Sequence, residues 1–125
     1  MTIARYASQQ NATATPREIE LRAFRYVNGL LSGAADVPGR VRALHKTHEL
    51  WSLLIADLAQ PANALPVELK GRLISLGLWA QREVAARMAD TRPLSPLIAL
   101  HREMIAALEA HTAPAPAAFF AAATA

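Results

Sequence analysis

Between Leu50 and Trp79 the chain runs two apolar stretches into one another across a corner of turn residues. The first reads Leu50-Trp51-Ser52-Leu53-Leu54-Ile55-Ala56-Asp57-Leu58. The corner carries Pro61, Asn63 and Pro66. The second contains Leu69-Lys70-Gly71-Arg72-Leu73-Ile74-Ser75-Leu76-Gly77-Leu78-Trp79. Apolar residues recur at three- and four-residue spacing, the period of a helix rather than the alternation of a strand. Two such stretches broken by proline and asparagine predict a pair of helices joined by a short turn. Each helix also holds more apolar residues than one buried stripe needs. The surplus points to packing against further helices or a partner, and no catalytic spacing interrupts it.

The same period dominates the rest of the chain, which is expected to be all-α: a compact bundle of four main amphipathic helices plus a short N-terminal helix from about Ile3 to Gln10. That short helix could gather Ile3, Tyr6 and Ala7 on one side, but so few turns do not stand alone in water. The first main helix starts at Thr15-Pro16-Arg17-Glu18, a capping box with proline where its missing N–H costs nothing. Its apolar face is Ala23, Phe24, Val27, Leu30, Leu31 and Ala34, and Asp36, Pro38 and Gly39 are expected to end it. The second runs from about Arg40 to Ala59, with Leu44, Trp51, Leu54, Ile55 and Leu58 on its face and Leu50 and Leu53 pointing away. The third starts near Asn63 or Leu65 and ends near Ala89. Leu69, Leu73, Leu76, Gly77, Ala80 and Val84 form its main face, with Val67, Ile74 and Leu78 as a second stripe. Gly77 costs roughly 1 kcal/mol in mid-helix relative to alanine, but with Ala80 it lets a neighbouring helix come close. The fourth is capped by Ser95 and turns Leu97, His101, Met104, Ile105 and Leu108 inward.

Composition supports one domain. A chain of 125 residues with 53% hydrophobic and 18% charged residues can close a core without staples. The helical domain is placed at residues 1–111. Residues 112–125, rich in alanine and proline, are expected to be a flexible tail. Cysteine is absent, which removes disulfides and thiolate chemistry and fits a reducing compartment. No stretch has the length of a membrane span or the layout of a signal peptide, so the expected localisation is cytoplasmic, with no membrane partner.

The net charge of +3 is spread along the chain rather than gathered in one run, which argues against a dedicated nucleic-acid surface. His45-Lys46-Thr47-His48-Glu49 comes nearest to a metal motif. Its order is neither H-E-x-x-H nor H-x-x-E-H, and His45 with Glu49 reads instead as a helical i,i+4 pair. His101 stands amid apolar neighbours and reads as a core histidine whose ring nitrogens find partners. No phosphate loop, dinucleotide fingerprint or nucleophile elbow is present. The expectation is therefore a protein without enzymatic activity, metal or cofactor.

The order and spacing of Pro16-Arg17-Glu18-Ile19-Glu20, Phe24, Leu50-Trp51 with Asp57-Leu58, Asn63-Ala64-Leu65-Pro66, and Leu73-Ile74-Ser75-Leu76 with Trp79 resemble the FlaF flagellar biosynthesis regulators of alphaproteobacteria. The Tyr6 segment and the helix from Leu97-Ile98 to Met104-Ile105 fit the same pattern, so the resemblance spans residues 5–109. It implies a chaperone-like binder of flagellin that supports flagellin synthesis and export, working opposite the regulator FlbT, which is a second candidate partner. The family carries no catalytic residues to transfer.

A mechanism follows from the surplus stripes. Flagellin termini are long amphipathic helices, and a groove can shelter such a helix. The expected groove lies between the second and third main helices, with Leu50, Leu53, Ile74, Leu78 and Trp79 as partner-binding residues. An uncovered patch of that kind also permits a homo-oligomer. The alternative is an RNA-binding post-transcriptional regulator of flagellin message, which the arginine excess allows and the lack of an aromatic basic platform opposes.

Overall fold

The computed structural model describes residues 15–112, and they form four helices in the order α1 (Pro16–Gly33), α2 (Val37–Leu58), α3 (Val67–Met88) and α4 (Ser95–Thr112). Among the described residues there is no strand. The expected helix over Ile3–Gln10 and nearly all of the expected tail lie outside the described residues.

Local chemistry sets the helix starts. Thr15 accepts from the Glu18 amide at 3.2 Å and caps α1, with Pro16 just inside. The residues expected only to stop α1 also start α2. Asp36 accepts from the Gly39 amide at 2.8 Å, and Val37 and Pro38 open the helix. Thus α2 begins three residues before Arg40. The start of α3 also differs from expectation. Asn63 spends its side chain in the corner, accepting from the Leu65 amide at 3.1 Å and donating to Asp57 at 3.1 Å. With Asn63 so engaged and Leu65 disfavoured from helix by the following proline, Pro66 takes the cap position and α3 starts at Val67. In α4 the helix already includes Ser95, and the Ile98 amide bonds back to the Leu94 carbonyl at 3.1 Å.

Along their lengths α2 packs on α3, α1 on α4, and α1 on α2. α3 and α4, neighbours in the chain, do not pack in this way. The helices therefore pack in the order α3–α2–α1–α4, and the bundle is open along the seam between α3 and α4.

The closed part has an aromatic centre. Trp51, Phe24 and His101 are all fully buried. Phe24 meets Trp51 edge-on at 5.5 Å between ring centroids and His101 edge-on at 5.3 Å, an arrangement favoured by ring quadrupoles. Trp51 Nε1 donates to His101 Nε2 at 3.0 Å, joining α2 to α4. The reading of His101 as a core residue holds, but its ring nitrogens do not both find partners: Nε2 accepts from Trp51, whereas Nδ1 is buried without one.

Gly77 is where α3 meets α2 most tightly. A Cβ placed on it would lie 2.8 Å from both Trp51 and Ile55, so the close approach expected at this glycine is present. At the far end of α3, Arg40 of α2 donates to the carbonyls of Arg87, Asp90 and Arg92 at 3.2, 3.3 and 2.7 Å. One guanidinium thus satisfies the frayed end of α3 and the turn after it.

Two faces differ from the periodicity reading. Leu76, expected in the core, is 39% exposed, because among the described residues α2 is the helix that packs along α3. Leu50, expected to point outward, is 5% exposed. The buried arc of α2 is wide because α1 and α3 both cover it, and it takes in Ala43 and Thr47 beside Leu50. Thr47 meets the polar cost of burial by donating to the Ala43 carbonyl at 2.8 Å.

Candidate functional site

At one end of the open seam lies a groove of about 360 Å³. It is built where five segments converge: the start of α1, the end of α2, the Asn63–Leu65 corner, α3 at Leu73, and α4 near its C-terminus. Leu54 and Leu58 of α2 form the floor. Leu73 of α3 stands on one side and Met104, Ala107 and Leu108 of α4 on the other, with Leu65 closing the corner. Leu58 and Leu108 are buried, whereas Leu54, Leu65, Leu73 and Met104 are half-buried and keep apolar surface toward the opening.

The rim is charged. Arg17, Glu20 and Asp57 line the groove with Asn63. Burial pushes the Glu20 carboxyl above its ordinary range; Arg17 pulls it back, and the nearby Asp57 carboxylate adds to the rise. Burial also lowers the Arg17 guanidinium, against the pull of Glu20. An apolar trough with two carboxylates and one guanidinium at its lip suits an amphipathic segment that brings an apolar stripe and a cation.

The five residues read from sequence as partner-binding are spread apart. Leu50 is in the core and unavailable. Leu53 is exposed on α2, and Leu78 is exposed on α3 with half-buried Ile74 one turn before it. Trp79, 37% exposed, stands with Arg72 and Leu76 around a separate shallow concavity, about 100° round the helix from Leu78. The residues that sequence reasoning did not assemble are Leu54, Leu65, Leu73 and Met104. Periodicity placed three of these on inward faces, and only the missing contact between α3 and α4 leaves them open.

His45 and His48 are both exposed, and His45 lies 3.9 Å from Glu49 as an i,i+4 pair. Among the described residues, no three His, Cys, Asp or Glu side chains converge as a metal site would require. No helix among them is long and apolar enough to cross a membrane.

Fold and groove together define a four-helix protein with an apolar groove at one end of the seam between α3 and α4. A family model described as flagellar protein FlaF matches residues 2–108. The chain belongs to the FlaF family and is a flagellar protein. No curated protein and no solved structure is similar enough to the chain to count as a match.

Proposed function

We propose that the protein is a chaperone-like binder of flagellin that supports flagellin synthesis and export without catalysing a reaction. The observation that carries this reading is the apolar groove at the open α3/α4 seam. A bundle whose α3 and α4 do not pack along one another has room for an added amphipathic helix, and flagellin supplies such helices at its termini. The family membership supports a flagellar role. The site differs from the groove expected from sequence: it lies between α3 and α4 and rests on Leu54, Leu65, Leu73 and Met104. Recognition would be by helix-in-groove packing, with the Glu20 and Asp57 carboxylates selecting a basic residue at one end of the bound helix. Sheltering flagellin before assembly would place the protein in the cytoplasm, with FlbT as a functional opponent.

Calorimetry with purified flagellin tests the reading. Wild type should bind, and Leu65→Asp or Met104→Gln should weaken binding while circular dichroism stays helical. Leu78→Asp, on the far flank of α3, should bind as wild type does. Binding that collapses between low and moderate salt, as phosphate contacts do, with the groove variants unaffected, would replace this reading with the RNA-binding one.

A further inference from the structure

We propose that the outward face of α3 is a homodimer interface, on which two copies of this chain pair antiparallel about Ser75, with Trp79 of each copy against Gly71 of the other and Glu68 of each opposite Arg82 of the other. Leu69, Gly77, Ala80 and Val84 are the buried side of α3. Glu68, Gly71, Ser75, Trp79 and Arg82 fall on the other side and are all exposed, within an arc of about 80° at 100° per residue. Among the described residues, α2 is the helix that packs along α3. The shallow concavity beside Trp79 is lined by residues of α3 itself.

The two glycines of α3 carry the argument. At Gly77 the missing side chain is explained, because a Cβ there would meet Trp51 and Ile55 of α2. At Gly71 nothing lies within 4 Å of the Cβ position. A glycine inside an exposed helix costs stability relative to alanine, and among the described residues no close approach repays it. An indole from outside would. The face also specifies which molecule brings that indole, because its pattern is its own complement when reversed. The spacing from Glu68 through Gly71, Ser75 and Trp79 to Arg82 is three, four, four, three, symmetric about Ser75. In an antiparallel pair centred there, Trp79 and Gly71 meet about 6 Å along the axis from Ser75, and Glu68 and Arg82 meet about 10–11 Å from it. Parallel pairing would set Glu68 against Glu68 and Arg82 against Arg82. A two-fold axis makes each contact twice, as a closed dimer requires. Leu73, the groove's residue on α3, lies about 160° round the helix from Ser75, so the dimer leaves both grooves open. The interface is independent of the flagellin reading.

Sedimentation equilibrium of the full chain, at concentrations up to about 0.5 mM, tests the proposal. The expected result is a reversible monomer–dimer equilibrium. Trp79→Ala should weaken it about tenfold or more by removing the aromatic anchor. Neutralising an exposed ion pair changes little, so the charges are tested by reversal. Glu68→Arg or Arg82→Glu alone sets like charges together at both ends and should weaken pairing. Mixing those two single variants restores opposite charges at both ends and should give a mixed dimer, and the Glu68→Arg/Arg82→Glu double variant should pair with itself again. Circular dichroism that stays helical separates lost pairing from lost fold. A chain that is monomeric throughout would overturn the proposal. So would a dimer that neither Trp79→Ala nor Glu68→Arg weakens, which would place self-association on another face, or single-reversal variants that do not rescue one another. A monomeric chain whose flagellin binding falls in Trp79→Ala would make flagellin the occupant instead.

Discussion

The closed and open sides of this bundle are made of similar residues and differ in what they face. On the closed side Trp51, Phe24, Val27, Leu44 and Leu97 are sealed by neighbouring helices, and two buried donors are committed, Trp51 to His101 and Thr47 to Ala43, while Asn28 Oδ1 and His101 Nδ1 are buried without a partner. On the open side Leu54, Leu65, Leu73 and Met104 are equally apolar, yet each keeps surface toward solvent. Amphipathicity is therefore satisfied at the centre of α1, α2 and α4 and left unfinished along the seam, where Leu54 of α2, Leu73 of α3 and Met104 of α4 line the groove. A region that stabilises by sealing and a region that can accept a further helix coexist because α3 packs along α2 and not along α4.

The comparison is sharpest at Trp51. Trp51→Ala should destabilise by about 3–5 kcal/mol, because it removes the largest core side chain, leaves a cavity and strands His101 Nε2. Denaturant unfolding measures this, and a cost below 1 kcal/mol would mean that the closed side is not sealed.

His101 gives the next effect. Burial lowers its pKa from 6.5 to about 4, and with Trp51 donating to Nε2 the ring must be neutral. The unfolded chain therefore takes up a proton at higher pH than the folded one. The stabilising contribution is complete above about pH 6.5 and is lost as pH falls toward 4, reaching about 3 kcal/mol. Stability measured from pH 7 to 4 should show this slope, and His101→Phe should flatten it.

Arg40→Ala should cost about 1–3 kcal/mol by leaving three carbonyls at the end of α3 without their charged donor. Hydrogen exchange should rise in the last turn of α3 before it rises in α1. Gly77→Ala sets two effects against each other. The helix gains about 1 kcal/mol in propensity, while a Cβ at 2.8 Å from Trp51 and Ile55 costs about 1–3 kcal/mol in overpacking. Net destabilisation of about 1 kcal/mol is expected, and a stabilised variant would show that α3 can shift off α2 freely. On the open side, Leu65→Asp should change stability by no more than about 0.5 kcal/mol and lower flagellin affinity about tenfold or more.

Much of the closed side was legible in the sequence, since Phe24, Val27, Leu31, Trp51, Leu58 and Leu108 announce themselves through helical spacing, and Thr15-Pro16 announces its own helix start. Leu50 and Leu76 were not. Periodicity finds the centre of a buried arc but not its width, which depends on how many helices cover it. α2 is covered on two flanks and swallows Leu50, while α3 is covered on one and releases Leu76. The groove was out of reach for the same reason. Its residues lie on faces that spacing marks as inward, and the absence of a helix contact leaves no trace in spacing. The charged rim joins Arg17 and Glu20, an i,i+3 pair already adjacent on α1, to Asp57, which only the fold brings to them.

Hydrogen exchange of the full chain with and without flagellin tests the central claim most directly, because it reports where protection falls. The account predicts added protection at segments containing Leu54 to Leu58, Asn63 to Leu73 and Met104 to Leu108, the walls of the seam. Protection confined to the helix surfaces bearing Leu53 and Leu78, or no change anywhere under conditions where flagellin is bound, would contradict it.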